Sequence, residues 1–134
     1  MPITSDQAEA LIRAAKVKAA DIDIAVSIVV LDLAGHLKAF LRMDEAWLGS
    51  IDVAMKKAKT SVLFQAETQA IWEVCKPDAQ AHGLESTNGG LVTFAGGIPL
   101  KDADGQLVGA IGVSGGQVAQ DFEIALAGVA ALKA

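Results

Sequence analysis

The chain has 134 residues, of which 52 % are hydrophobic and 20 % charged, and its formal net charge at pH 7 is −5. This length favours a single domain, residues 1–134, and an acidic balance without a basic stripe excludes a typical nucleic-acid-binding protein. No apolar run reaches the roughly 18 residues of a membrane span, and the single cysteine, Cys75, has no disulfide partner within the chain, which favours a cytoplasmic location.

The first third of the chain predicts a helix followed by a β-hairpin. Thr4 or Ser5 can cap a helix whose apolar residues repeat at helical spacing and which ends near residues 20–21. The β-branched stretch IAVSIVVLDL then fits a buried strand, and HLKAFLRM alternates as a second strand. The turn between the two strands centres on Gly35.

Two helices and a long polar loop follow. The stretch LGSIDVAMKKAKTSVLFQA has a candidate cap at Ser50 and apolar residues at helical spacing, so it predicts a second helix. A shorter helix is expected from Glu67 to Val74, because Pro77 marks its end. Residues 78–90 form a polar loop that contains glycine, and long loops in compact domains are often functional.

The last third of the chain predicts three strands and a helix. The strands are LVTF, GIPLK and LVGAIGVS, with a tight turn at DADG before the last of them. The final helix is expected from Gln117 or Ala119 to Lys133. The order α-β-β-α-α-β-β-β-α indicates an α+β fold with one mainly antiparallel sheet of about five strands, flanked by helices.

Two glycine-rich segments suggest a groove lined by bare backbone. GAIGVSGG, residues 109–116, matches neither common phosphate-binding motif, but its end lies between a strand and a helix. Backbone N–H groups at residues 114–116 would attract an anion there. Pairing with residues 96–97 of FAGGIPL would leave a groove without side chains. The alternative is that the glycines inside the strand only allow helices to pack closely.

Four segments of the chain occur in the same order in one known family. They are VVLDLAGHLKAFLRMD, KKAKTS, FAGGIPL and GAIGVSGGQVAQDFEIALAG, and together they cover nearly the whole chain. The last is the most specific, because GAIGVSGG is followed by Gln120 and Asp121. The chain therefore resembles the GlcG/HbpS-like family, which includes the C-terminal domain of PduO-type proteins. This resemblance implies a profilin-like α+β domain that forms oligomers.

The same resemblance implies candidate ligands. Some members of the family bind haem or iron, and many others lie in catabolic gene clusters. Haem-binding relatives use an axial ligand such as a histidine near the N-terminus, whereas the first predicted helix here has no histidine, so His36 and His82 are the imidazoles available. The chain also departs from the family pattern at Glu45, where glycine is common, and at Phe122, where an acidic residue is usual.

Arg42, Asp44 and Lys57 are the charged candidates for a site. Arg42 and Asp44 lie two residues apart after an extended strand, so they are expected to point to the same face. Arg42 could hold a carboxylate bidentately while Asp44 orients it, and a weak surface ion pair is the alternative. Lys57 could reach toward Arg42 from its helix, or lie on a solvated helix face.

The two histidines have different surroundings in the sequence. His82 lies in the long loop, three residues before Glu85, and is a candidate general base or single metal ligand, although an ordinary polar loop explains it too. His36 lies in a hairpin turn, where an exposed turn residue is the simpler explanation.

These observations favour a cytoplasmic homo-oligomer that binds a small anionic organic ligand, such as a carboxylate. The low charge content predicts a subunit interface. The candidate ligand-binding residues are Arg42, Gly96, Gly97, Ser114, Gly115 and Gly116. An enzymatic role would involve acid–base chemistry (isomerisation, elimination or hydrolysis in a catabolic pathway), with Asp44, His82 or Lys57 transferring the proton.

Two alternative functions remain from the sequence. One is a haem- or iron-binding protein in which His36 or His82 ligates the iron. The other is a non-catalytic accessory or assembly subunit. Neither a nucleic-acid partner nor a membrane partner is expected.

Overall fold

A computed structural model describes residues 2–132 of the chain. The helices in this range are α1 (Ser5–Asp21), α2 (Gly49–Phe64), α3 (Thr68–Cys75) and α4 (Val118–Leu132), with a short 3-10 helix at Leu84–Ser86. The strands are β1 (Ser27–Asp32), β2 (Leu37–Arg42), β3 (Gly97–Lys101) and β4 (Leu107–Ser114).

The strands form one antiparallel sheet in the order β2-β1-β4-β3. This confirms the predicted α+β class and the mainly antiparallel sheet. The sheet has four strands in the described part of the chain, so the expectation of about five is wrong. A profilin-like arrangement stays a prediction.

The strand expected at residues 91–94 is the one that does not form. The backbone N–H of Val92 donates to Oγ1 of Thr60 on α2 over 3.2 Å, and Oγ1 of Thr93 donates to Glu85 Oε2 over 2.9 Å. Leu91 and Thr93 are buried, while Phe94 is exposed. Its burial alternates as in a half-buried strand, which explains its sequence pattern, but the segment contacts α2 and the 3-10 helix instead of joining the sheet.

The predicted helices are confirmed, with a correction at the start of α2. Thr4 caps α1 through a reciprocal pair of hydrogen bonds with Gln7, of 2.9 and 3.1 Å. Ser50 does not cap α2, because it lies inside the first turn and its hydroxyl donates to the carbonyl of Trp47 over 2.6 Å. The expected end of the last helix at Lys133 lies outside the described residues.

The sheet is covered by helices on both faces. Helices α1 and α4 pack on one face, and α2 packs on the other. Successive side chains of a strand point to opposite faces, so β1 is apolar on both. Its Ile28 and Val30 join the core beneath α1 and α4, whereas Val29 and Leu31 join the core beneath α2.

Gly112 determines how closely α2 approaches the sheet. It lies on β4 opposite Val29 of β1 and Gly97 of β3. A Cβ at this position would collide with the carbonyl oxygen of Ala54 and would lie 2.7 Å from the backbone nitrogen of Ala58, both on α2. For Gly112, close packing of a helix is therefore the confirmed explanation.

We expect Gly112→Ala to destabilise the fold by about 1–3 kcal/mol, because the added methyl group forces α2 away from the sheet. Urea unfolding measures this loss. Gly49→Ala, at the exposed start of α2 where an added Cβ meets nothing within 4 Å, is the matched control and should lose no stability. Equal midpoints for the two variants would show that the close approach is not needed.

Candidate functional site

A buried lysine joins three elements at one end of the sheet. Lys57 of α2 is fully buried, and its Nζ donates to the carbonyl of Val113 on β4 over 2.8 Å and to Oδ2 of Asp121 on α4 over 3.1 Å. Asp121 is also buried, and its Oδ1 accepts a 2.8 Å hydrogen bond from the backbone N–H of Gly116. The pair therefore connects α2 to the end of β4 and the first turn of α4.

Burial changes the protonation equilibria of both partners. It lowers the pKa of Lys57 below its ordinary value, while the attraction of Asp121 opposes that change. Burial also raises the pKa of Asp121, opposed by the charge of Lys57 and by the hydrogen bond from Gly116. Each charge thus depends on the other to remain ionised in the interior.

The two glycine-rich segments meet at this lysine. The backbone N–H of Val113 donates to the carbonyl of Gly96 over 2.9 Å, so the segments are neighbours, as expected. A Cβ at Gly96 would lie 2.7 Å from Lys57 Nζ, and the φ of Gly96 is +133°, a conformation that favours glycine. The space between the segments is thus filled by the Lys57 side chain. A ligand-binding role for these backbones stays a prediction.

Neighbouring backbone groups in the two segments are also engaged. The N–H of Gly97 donates to Oγ1 of Thr68 on α3 over 3.1 Å. Ser114 is buried, and a Cβ at Gly115 would lie 2.5 Å from the carbonyl oxygen of Ala25. Close packing against α3 and against the residues before β1 accounts for these positions.

The structure places Arg42 two strands away from β4, and Asp44 in a surface hollow. The Arg42 guanidinium donates to the carbonyl of Ala46 over 3.0 Å, and Arg42 lies opposite Ser27 of β1, which lies opposite Ser114 of β4. Two strand spacings therefore separate Arg42 from Ser114. Asp44 lines a surface hollow beside the end of α1. The carboxylate-binding roles of both residues stay predictions.

The two histidines lie in loops at different places. His36 follows β1 in the hairpin turn, where its backbone N–H donates to Oδ1 of Asp32 over 2.9 Å. His82 is exposed in the loop between α3 and the 3-10 helix, three residues before Glu85. The six residues of β1, at roughly 3.3 Å each, separate the His36 turn from the Ser27 end of the sheet.

An apolar groove lies next to the buried pair. It is formed by α3, the 3-10 helix, the segment before β3 and the start of α4, and its volume is about 380 Å³. The groove is lined by Gln69, Trp72, Glu85, Thr93, Phe94, Ala95 and Val118. Its large apolar residues are partly exposed: Trp72 by 39 %, Phe94 by 48 % and Val118 by 46 %. Exposed aromatic side chains in a concave surface are typical of a binding site.

Phe94 connects the groove to the buried pair. The Nζ of Lys57 lies 4.8 Å from the centroid of the Phe94 ring, within the range of a cation–π contact. The same ring lines the groove. Sequence reasoning missed this groove, because it assigned Phe94 to a strand. The run TFAGG contained the signal: an aromatic residue precedes glycines that allow a buried side chain to approach.

Cys75 lies behind the groove as an inert thiol. It is fully buried, and burial raises its pKa, an effect to which the charge of Glu85 adds.

Between residues 2 and 132, no group of three or more His, Cys, Asp or Glu side chains is placed to hold a metal ion. In the same part of the chain, every helix is too short or too polar to cross a membrane.

Comparison with known protein families identifies the family of this chain. The model of the family described as "Haem degrading protein HbpS-like" matches residues 3–130. The chain therefore belongs to the HbpS-like family, which confirms the resemblance seen in the sequence.

The chain is similar to several members of known name. Corrinoid adenosyltransferase PduO of Salmonella typhimurium is 40 % identical over 123 residues, covering 91 % of this chain but only 36 % of that protein. Protein GlcG of Escherichia coli K12 is 35 % identical over 112 residues, covering 84 % of this chain and 81 % of GlcG. The crystal structure of a PduOC:haem complex has a TM-score of 0.93 and 37 % identity, and covers 98 % of this chain and 95 % of that one.

We expect Lys57→Met to destabilise the protein by about 3–5 kcal/mol, because it leaves Asp121 buried without its partner. Urea unfolding at pH 7 gives the value. Lys56→Met is the matched control, since Lys56 makes only a partly exposed pair with Asp52, worth about 0.5 kcal/mol or less. The double variant Lys57→Met, Asp121→Asn should lose less stability than Lys57→Met alone. Equal stability of the two single variants would contradict the role of the pair.

The Cys75 thiol should resist labelling in the folded protein. Burial and the raised pKa together keep it protonated and out of contact with reagent, so a thiol reagent at pH 8 should label it only after unfolding. Absorbance of the released chromophore measures the reaction, with free glutathione and denatured protein as positive controls. Stoichiometric labelling of the native protein within minutes would contradict this placement.

Proposed function

We propose that this chain binds haem, or a closely related tetrapyrrole, in the apolar groove between α3 and the start of α4. The observation that carries the proposal is the exposed apolar surface that Trp72, Phe94 and Val118 present in one concavity. Aromatic rings on such a surface favour stacking against a flat ligand. Removing this surface and the faces of the ligand from water contributes roughly 25 cal/mol of favourable binding free energy per Å² of apolar area.

The shape of the site suits a large planar molecule. A volume of about 380 Å³ lies in the range of small-molecule sites, roughly 300–1,000 Å³. Because the site is a groove and not a closed cavity, one edge of a macrocycle can stay in water, where its carboxylates are solvated. Trp72, Phe94 and Val118 would hold the ring. Haem itself supplies one-electron or dioxygen chemistry when bound.

Relatives of similar structure support the same ligand. The PduOC structure is a complex with haem, and the family is described as haem degrading. The chain spans 36 % of the PduO protein that it matches, so the activity of that whole protein is not carried over. Haem binding is the sequence alternative that we now favour over the small anionic ligand.

Other expectations from the sequence stay proposals. Acid–base catalysis by Asp44, His82 or Lys57 is one, although these three residues lie in a surface hollow, an exposed loop and the interior. A homo-oligomer is another, supported by Trp47 and Leu48, which are 80 % and 74 % exposed. A role as an accessory subunit and a cytoplasmic location also stay predictions.

We expect Val118→Glu to weaken haemin binding by about tenfold or more, because it places a charge in the apolar groove and a tenfold change requires only about 1.4 kcal/mol. A titration of the Trp47→Phe background, in which Trp72 is the remaining tryptophan, follows binding through quenching of its fluorescence.

Leu126→Glu provides a matched control on the same helix. Leu126 is 44 % exposed, much like Val118, but does not line the groove, so this change should leave the affinity for haemin unaltered. Equal affinities for the two glutamate variants would place haemin outside the groove. If haemin does not quench the tryptophan fluorescence of the wild-type protein, the proposed function itself is refuted.

A further inference from the structure

The groove lacks the side chains that ordinarily bind haem iron. Proteins hold this iron through histidine nitrogen, cysteine thiolate, methionine sulfur or tyrosine oxygen. Among the described residues, the lining consists of aromatic and aliphatic groups together with the oxygen-bearing Gln69, Glu85 and Thr93. The sequence contains no tyrosine.

The described side chains with suitable atoms lie elsewhere. His36 is in the hairpin turn at the far end of β1, and His82 is exposed in the loop outside the lining. Cys75 is fully buried and its raised pKa keeps it a thiol. Met43 lines the hollow beside Asp44, and Met55 packs against the core beneath α2.

The lining also contains oxygen atoms, of which the Thr93 hydroxyl and one Glu85 oxygen are hydrogen-bonded to each other. Glu85 Oε2 accepts the hydroxyl hydrogen of Thr93 over 2.9 Å. The amide nitrogen of Gln69 donates to Glu67 Oε1 over 2.7 Å, whereas Gln69 Oε1 is buried and accepts no hydrogen bond from the described residues. Amide, carboxylate and aliphatic hydroxyl oxygens are not among the atoms that ordinarily hold haem iron, so these groups do not supply the missing ligand.

We infer that the groove recognises the tetrapyrrole ring and not the metal at its centre. This inference rests on the proposed function and specifies its ligand class: planar porphyrins of similar shape, with iron, with another metal or without one. Trp72, Phe94 and Val118 line the groove with apolar groups, which would contact the hydrocarbon part of the ring. These contacts are the same whether or not iron is present, whereas a coordinate bond would add a preference for haem.

The experiment compares haemin with metal-free protoporphyrin IX and zinc protoporphyrin IX. All three are titrated into the Trp47→Phe protein, and quenching of Trp72 fluorescence gives each dissociation constant. We expect the three constants to agree within about threefold, which corresponds to less than 0.7 kcal/mol. His82→Ala and His36→Ala should bind haemin as the parent does.

Two results would overturn the inference while leaving the proposed function intact. One is haemin binding at least tenfold tighter than the metal-free ring. The other is a tenfold loss of haemin affinity in His82→Ala, His36→Ala or Glu85→Gln, with protoporphyrin IX affinity unchanged, because that pattern identifies an iron ligand. Failure of all three porphyrins to bind would refute the proposed function instead.

Discussion

The buried ion pair between Lys57 and Asp121 is the interaction on which the arrangement of this protein depends. An ammonium group without solvent must find partners for its hydrogens, and Lys57 finds the carbonyl of Val113, the carboxylate of Asp121 and the ring of Phe94. These partners belong to β4, to α4 and to the segment before β3. One side chain of α2 therefore fixes three other parts of the chain around it.

The glycine-rich segments follow from that constraint. Lys57 reaches its partners only because Gly96 has no side chain in its path, and α2 lies close enough to the sheet only because Gly112 has none. Glycine costs conformational entropy on folding, so its repeated use here indicates that close approach is worth that cost. In the fold, Gly96 and Gly112 thus serve the packing of a buried cation and its helix, while the backbone N–H of Gly116 donates to the carboxylate of Asp121.

The groove depends on the same junction. Phe94 lies over Lys57 and lines the groove, while Val118 lies three residues before Asp121 at the start of α4. The pair therefore holds two walls of the groove in place, and α3 supplies a third through Trp72. This apolar concavity is the basis of the tetrapyrrole site that we propose. Since a fold by itself does not define a function, the chemistry of these walls is a stronger argument for a tetrapyrrole than family membership alone.

The sequence by itself determined the local structure and the family. The helices and the hairpins were predictable because their signals lie in neighbouring residues. These signals are the helical spacing of apolar residues, the Thr4 cap and the turns at Gly35 and at residues 102–105. The tertiary structure alone decided that residues 91–94 leave the sheet, that Lys57 is buried and that Phe94 and Trp72 face one groove. The physical reason is distance along the chain: the partner that makes burial of Lys57 tolerable lies 64 residues away, and no local pattern records it.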